Sequence, residues 1–177
     1  MSQVTTNLMM VKQRLELAAL AAKREPEDIQ LLAVSKAFPS RAIEEAMHAG
    51  QTTFGENYVQ EGVEKIQQLV KLRPWLQWHF IGPLQSNKTR EVAEHFDWVH
   101  SIDRLKIAER LSSQRGEFPD LGELQVCVQI NVSAEESKSG ISLEEVEVLC
   151  DAIAQLPNLA LRGLMAIPAP SDDVNQQ

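Results

Sequence analysis

The chain is poor in the residues that build metal, disulfide and nucleotide-loop sites. It has two cysteines, Cys127 and Cys150, one in a predicted strand and one in a predicted helix. Neither has a CxxC partner, so buried reduced thiols are expected and a zinc site is not. The four histidines, His48, His79, His95 and His100, lack the i, i+4 spacing of helical metal ligands, and no metal is expected. No GxGxxG or Walker A pattern occurs, which removes the usual glycine-rich phosphate turns. Basic residues form no run, and 25 acidic against 17 basic residues give a net charge of -8, so nucleic acid is not the expected ligand. That balance leaves a local anion pocket open. No stretch approaches the roughly 20 apolar residues of a membrane span. Residues 15–22 are apolar, but Glu16 interrupts them and no cleavage site follows. Val4, Leu8, Val11, Leu15 and Ala18 or Ala19 fall at helical spacing, so an amphipathic helix in a cytoplasmic protein is the expectation.

What the chain does contain is a regular alternation of strand-like and helix-like segments, with an apolar fraction of 44% that suits a packed core. After the leading helix, strands are predicted over residues 31–35, 52–55, 78–81, 98–102, 124–132 and 159–167. Helices are predicted over about 40–49, 58–72, 88–94, 103–115 and 142–154. Ser40 and Asp103 are expected as N-caps, Gly50 as a C-terminal stop, and Pro74 as lying beyond the end of its helix. Ser142 and Glu145 form a capping box. Val126, Val128, Ile130 and Val132 are expected on one face of the fifth strand.

Six βα units favour a parallel sheet with helices outside. Strand ends about 20 to 35 residues apart suit a (β/α)8 TIM-type barrel, although an open doubly wound sheet also fits. The expectation is one domain over residues 1–177, with about six of eight units present and residues 168–177 a loop or tail. A truncated fragment, an open sheet or strands shared between partners would each account for the shortfall. Unpaired sheet edges favour self-association.

One lysine stands out. The run Ile29-Gln30-Leu31-Leu32-Ala33-Val34-Ser35-Lys36 reads as a buried strand with an amine where it emerges, at the end where α/β proteins do their chemistry. Partial desolvation would favour a neutral amine able to form a Schiff base with an aldehyde. The plainer alternative is a lysine that ends a strand and reaches solvent.

Further motifs lie at successive predicted strand ends. They are Leu32-Ala33-Val34-Ser35-Lys36, Phe54-Gly55-Glu56-Asn57-Tyr58-Val59-Gln60-Glu61 and His79-Phe80-Ile81-Gly82-Pro83-Leu84-Gln85-Ser86-Asn87-Lys88. Val99-His100-Ser101-Ile102-Asp103, Asn131-Val132-Ser133 with Glu136-Ser137-Lys138-Ser139-Gly140, and Gly163-Leu164-Met165-Ala166-Ile167-Pro168 follow. In this order they resemble the pyridoxal-phosphate-binding homeostasis proteins, the YggS-like family related to the barrel domain of alanine racemase. The resemblance spans nearly the whole chain.

It implies that Lys36 holds pyridoxal 5'-phosphate as a covalent Schiff base and that Asn57 sits near the cofactor ring. It also implies that His79 and Met165 line the same mouth. Lys138 is a second candidate amine. Asn57 as a helix cap, His79 as a core imidazole and Met165 as packing are the structural alternatives. Relatives continue with two more βα units that grip the phosphate, so cofactor retention in this chain is expected to be weak or absent.

The implied function is cofactor homeostasis without a dedicated catalytic reaction, with apo pyridoxal-phosphate enzymes as recipients. An amino-acid racemase is the first alternative, disfavoured because that reaction needs two positioned acid/base groups and the one tyrosine, Tyr58, starts a helix. A partner-binding scaffold with little cofactor is the second.

Overall fold

A computed structural model describes residues 2–133, 139–170 and 172–173. Two compact units divide the chain, residues 1–79 and 80–177. The strands follow one another in chain order in a six-stranded sheet, β1-β2-β3-β4-β5-β6.

In the first unit, α1 (Gln3–Ala21) begins at Ser2, whose Oγ accepts from the Thr5 N–H. Leu8 and Ala19 are buried, Val4 and Leu15 half-buried, and Val11 exposed, so the inward stripe is narrower than the spacing suggests. β1 is only Ala33–Val34, pairing in parallel with β2 (Thr53–Glu56) through Ala33↔Phe54 and Val34↔Gly55. The expected strand over 31–35 is shortened because side chains take over the backbone groups at its start. The Leu31 carbonyl accepts from Gln51 Nε2 at 2.7 Å and Thr53 Oγ1 at 2.8 Å.

α2 (Ser40–His48) buries Ile43 and Ala46, and Gly50 follows its end at φ 79°, as a helix stop requires. Its N-cap is Pro39 rather than Ser40. Ser40 is the first helical residue, and its hydroxyl donates to Gln68 Oε1. α3 (Val59–Gln68) ends earlier than the expected 58–72 and is followed by a 3₁₀ helix, Val70–Trp75, with Pro74 inside it. Proline has no N–H for an i−4 carbonyl, so an α-helix gains nothing by continuing here. β3 (Gln77–Phe80) starts where the Gln77 N–H donates to the Thr52 carbonyl. Trp78 packs its ring 6.1 Å from Phe54.

In the second unit, α4 (Thr89–His95) precedes β4 (Trp98–Ile102), and α5 (Leu105–Arg115) precedes β5 (Leu124–Ile130). α5 is capped by Arg104 without a side-chain bond, because the Asp103 carboxylate instead accepts from Arg104 Nη1 at 2.8 Å. β5 pairs in parallel with β4 and with β6 (Leu159–Ala166). β5 stops at Ile130, and Val132 lies outside it and is exposed. The cause is Ile141, whose carbonyl accepts from the Asn131 N–H and whose N–H donates to the Gln129 carbonyl. Gly140, at φ 120°, makes this crossing feasible. A Cβ there would lie 2.7 Å from the Ile130 carbonyl carbon and 2.8 Å from the Asn131 nitrogen. The capping box of Ser142 and Glu145 forms and opens a 3₁₀ turn that leads into α6 (Val146–Ala154).

Arg115 is the main polar tie of this unit. It is 2% exposed and donates to the carbonyls of Ala93, Phe96, Leu121 and Gly122 at 2.7–3.0 Å. It thus joins the end of α4 to the loop before β5. Charge-assisted bonds are stronger than neutral ones, and buried acceptors left unmet are costly. Arg115→Met should lower the unfolding free energy by about 3 kcal/mol or more. Urea denaturation checks this, and a loss below about 1 kcal/mol would show that the four carbonyls find other donors.

His100 on β4 is half-buried beside Trp98, with ring centroids 5.8 Å apart, and burial pushes its imidazole below the ordinary value of 6.5. The unfolded chain therefore binds this proton more readily than the folded one. The stability contribution is full above about pH 6.5, falls as pH drops toward the lowered folded value, and is flat below it. Denaturation midpoints between pH 7.5 and 5.5 should drop less in His100→Gln than in the parent chain.

Candidate functional site

Lys36 sits in a tight turn immediately after β1. The Ser35 N–H continues the ladder to the Gly55 carbonyl at 2.9 Å, and the Phe38 N–H closes the turn on the Ser35 carbonyl at 3.0 Å. Lys36 and Ala37 are its central residues, and Ala37 has φ 63°. A left-handed alanine costs on the order of 1–2 kcal/mol, so something other than local preference holds the turn. That support is the Ala37 N–H donating to Glu61 Oε1 of α3 at 2.7 Å. Lys36 is exposed rather than partly shielded as the strand-end reading anticipates, because the turn, not the strand, carries it.

A buried polar network lies behind the turn. Ser35 Oγ donates to Glu56 Oε1 at 2.6 Å, tying the ends of β1 and β2 together. Lys65 of α3, 6% exposed, donates all three of its protons. One goes to the Ser35 carbonyl at 2.8 Å, one to Glu56 Oε1 at 2.8 Å and one to Glu61 Oε1 at 2.6 Å. Its hydrogen bond is the main reason the Glu61 carboxyl lies below the usual carboxylate range. The Ala37 N–H and the Lys65 charge add to that effect, while partial burial opposes it. Glu56 is fully buried.

Two acceptor atoms at the end of β2 have no partner: Glu56 Oε2 and the neighbouring Asn57 Oδ1. Orphaned buried acceptors call for a donor from water or a ligand. Asn57 is half-buried and is not the cap of α3, whose N-cap is Tyr58. Lys36 and Asn57 thus follow the two strand ends joined by the Ser35–Glu56 bond. His79 is buried on β3, and its Nε2 lies 3.2 Å from Gln77 Oε1. Met165, in the second unit, is half-buried on β6 and in register with Gln129 of β5. Lys138 falls outside the described residues.

Sequence reasoning passes over Ser35, Glu61 and Lys65 as functional groups. The legible signal is Glu61 and Lys65 at i, i+4 on one helix face, a spacing that pairs carboxylate with ammonium. The link to Ala37 has no sequence signal, since it crosses 24 positions. Among the described residues no three or more His, Cys, Asp or Glu side chains are grouped to hold a metal ion. No helix there is long and apolar enough to cross a membrane.

Comparison with known proteins identifies the fold and the family. The alanine racemase N-terminal domain family matches residues 8–177. The pyridoxal phosphate homeostasis protein of Escherichia coli (strain K12) is 56% identical over 178 residues, covering 100% of this chain and 75% of the relative. The structure of PipY from Synechococcus elongatus PCC7942 with PLP bound superposes with TM-score 0.75 at 40% identity, over 89% of this chain and 71% of PipY. Alanine racemase from Corynebacterium glutamicum, 18% identical, shares the fold with TM-score 0.63 over 92% of this chain and 43% of its own. The α/β fold with a parallel sheet, expected from the alternating segments, is therefore that of the alanine racemase N-terminal domain. The chain belongs to the family of the pyridoxal phosphate homeostasis proteins.

Proposed function

We propose that this chain binds pyridoxal 5'-phosphate on Lys36 and serves cofactor homeostasis in the cytoplasm rather than catalysing a reaction of its own. The observation that carries the reading is an exposed primary amine held in a turn braced by two strand ends and a helix. The residues present fit such a ligand. Lys36 offers the amine, and Glu56 Oε2 and Asn57 Oδ1 are acceptors without partners beside the same strand ends. The cofactor would supply an aldehyde there, and Lys36 would be the amine that holds it.

The protein's own part is to present the amine, orient it, and leave it open to exchange. An amine this exposed would leave the held cofactor open to water and to competing amines, which would weaken retention and favour transfer to apo-enzymes. Asn57 is proposed to sit near the ring and His79 to line the same mouth. Racemisation would need a second positioned acid/base group. The one tyrosine, Tyr58, is 65% exposed at the start of α3.

Incubation with pyridoxal 5'-phosphate should give a visible absorbance band. Borohydride reduction and peptide mapping should place the label on Lys36, and Lys36→Ala should lose both the band and that labelled peptide. Label spread evenly over the surface lysines would defeat the assignment. Gel filtration of the unreduced complex should strip most of the cofactor, whereas stoichiometric retention would show that the linkage is not open to exchange.

A further inference from the structure

We propose that Glu61 is the positioning residue that makes Lys36 the preferred amine of this chain, acting through the Ala37 N–H and the Lys65 ammonium. The inference deepens the reading of Lys36 as the aldehyde-capturing group and rests on it. Three observations converge. Ala37 has a backbone conformation that L-residues rarely adopt, at φ 63°. Its N–H is held at 2.7 Å by a carboxylate from a different element. That carboxylate is itself fixed at 2.6 Å by a buried lysine that also grips the Ser35 carbonyl at 2.8 Å. Both sides of Lys36 are therefore anchored: Ser35 through its carbonyl, N–H and hydroxyl, and Ala37 through its N–H.

Neither Glu61 nor Lys65 needs to touch the ligand for this to matter. A long, exposed lysine side chain loses rotamer entropy when it commits to one bound geometry. If its backbone also wandered, that freedom would have to be lost as well. Holding the backbone in advance removes the second cost. It gives Lys36 an advantage over the other surface lysines, whose amines are chemically similar. Glu61 is the informative member to alter, because it is partly exposed while Glu56 and Lys65 are buried together. Its removal leaves the buried pair intact. Replacing Lys65 would instead strand a buried carboxylate and endanger folding.

The test uses the full 177-residue chain and its Glu61→Ala and Glu61→Gln variants, with pyridoxal 5'-phosphate as the probe. Glutamine keeps an oxygen that can accept from the Ala37 N–H and from Lys65, so it serves as the rescuing substitution. In Glu61→Ala the apparent dissociation constant at Lys36, read by reduction and peptide mapping, should rise about tenfold. The share of label on other lysines should grow, and Glu61→Gln should stay within about threefold of the parent.

Amide hydrogen exchange provides a reading independent of the ligand. Ala37 and Phe38 should exchange faster in Glu61→Ala but not in Glu61→Gln, with the thermal midpoint of the whole chain little changed. Parent-like exchange at Ala37 and parent-like selectivity in Glu61→Ala would overturn the proposal. So would faster exchange with unchanged selectivity, because the turn would then be ordered by Glu61 to no effect on the amine. If the parent chain takes no label at Lys36 while exchange responds as expected, the aldehyde reading fails and with it the functional role given to Glu61, although the clamp itself stands.

Discussion

The ammonium of Lys65 is the contact on which the polar network of the first unit depends. Burying a lysine is costly, and the cost is met only if each of its donors finds a partner. Here the partners are the Ser35 carbonyl, Glu56 and Glu61, which come from the end of β1, the end of β2 and the first turn of α3. One charged group thus fixes the relative positions of three elements whose backbone ladders could not do so alone. β1 contributes only two residues to the sheet, and its neighbouring backbone groups are taken up by side chains on both sides. The strand is short because polar side chains replace its ladder.

The second unit solves a related problem with a different cation. Arg115, also buried, donates to backbone carbonyls, and its planar group reaches four of them at once. Lys65 coordinates side-chain carboxylates and leaves an acceptor, Glu56 Oε2, unmatched. The difference suits their places. Arg115 closes a structural junction between the end of α4 and the loop before β5, whereas Lys65 stands next to a turn that carries an exposed amine.

Much of this was legible in the sequence, and the exceptions share a cause. Among the described residues, apolar runs and helical signals located the six strands and six α-helices, because burial periodicity is a local property, while the 3₁₀ helices Pro26–Asp28 and Pro119–Leu121 carried no such signal. The capping box at Ser142 and the stop at Gly50 were equally local. Asp103 and Ser40 misled as caps because each side chain found a competing partner, Arg104 and Gln68, that local rules do not weigh. Lys36 stood out as a polar residue closing an apolar run, yet its exposure depends on a turn whose conformation no glycine announces. The supporting network joins positions 35, 37, 56, 61 and 65. Only the Glu61 and Lys65 pair has a spacing that a single sequence can reveal.

The left-handed alanine has a consequence for how the chain acquires its shape. A glycine at position 37 would let the bend form from local preference alone. Alanine opposes that bend, and the acceptor that overrides the opposition arrives from 24 residues further on. The loop between them must close before the bend becomes favourable, so the bend is a late product of tertiary assembly rather than an early seed. During synthesis or after denaturation, the turn that carries Lys36 therefore lacks its clamp, which forms only once α3 has docked.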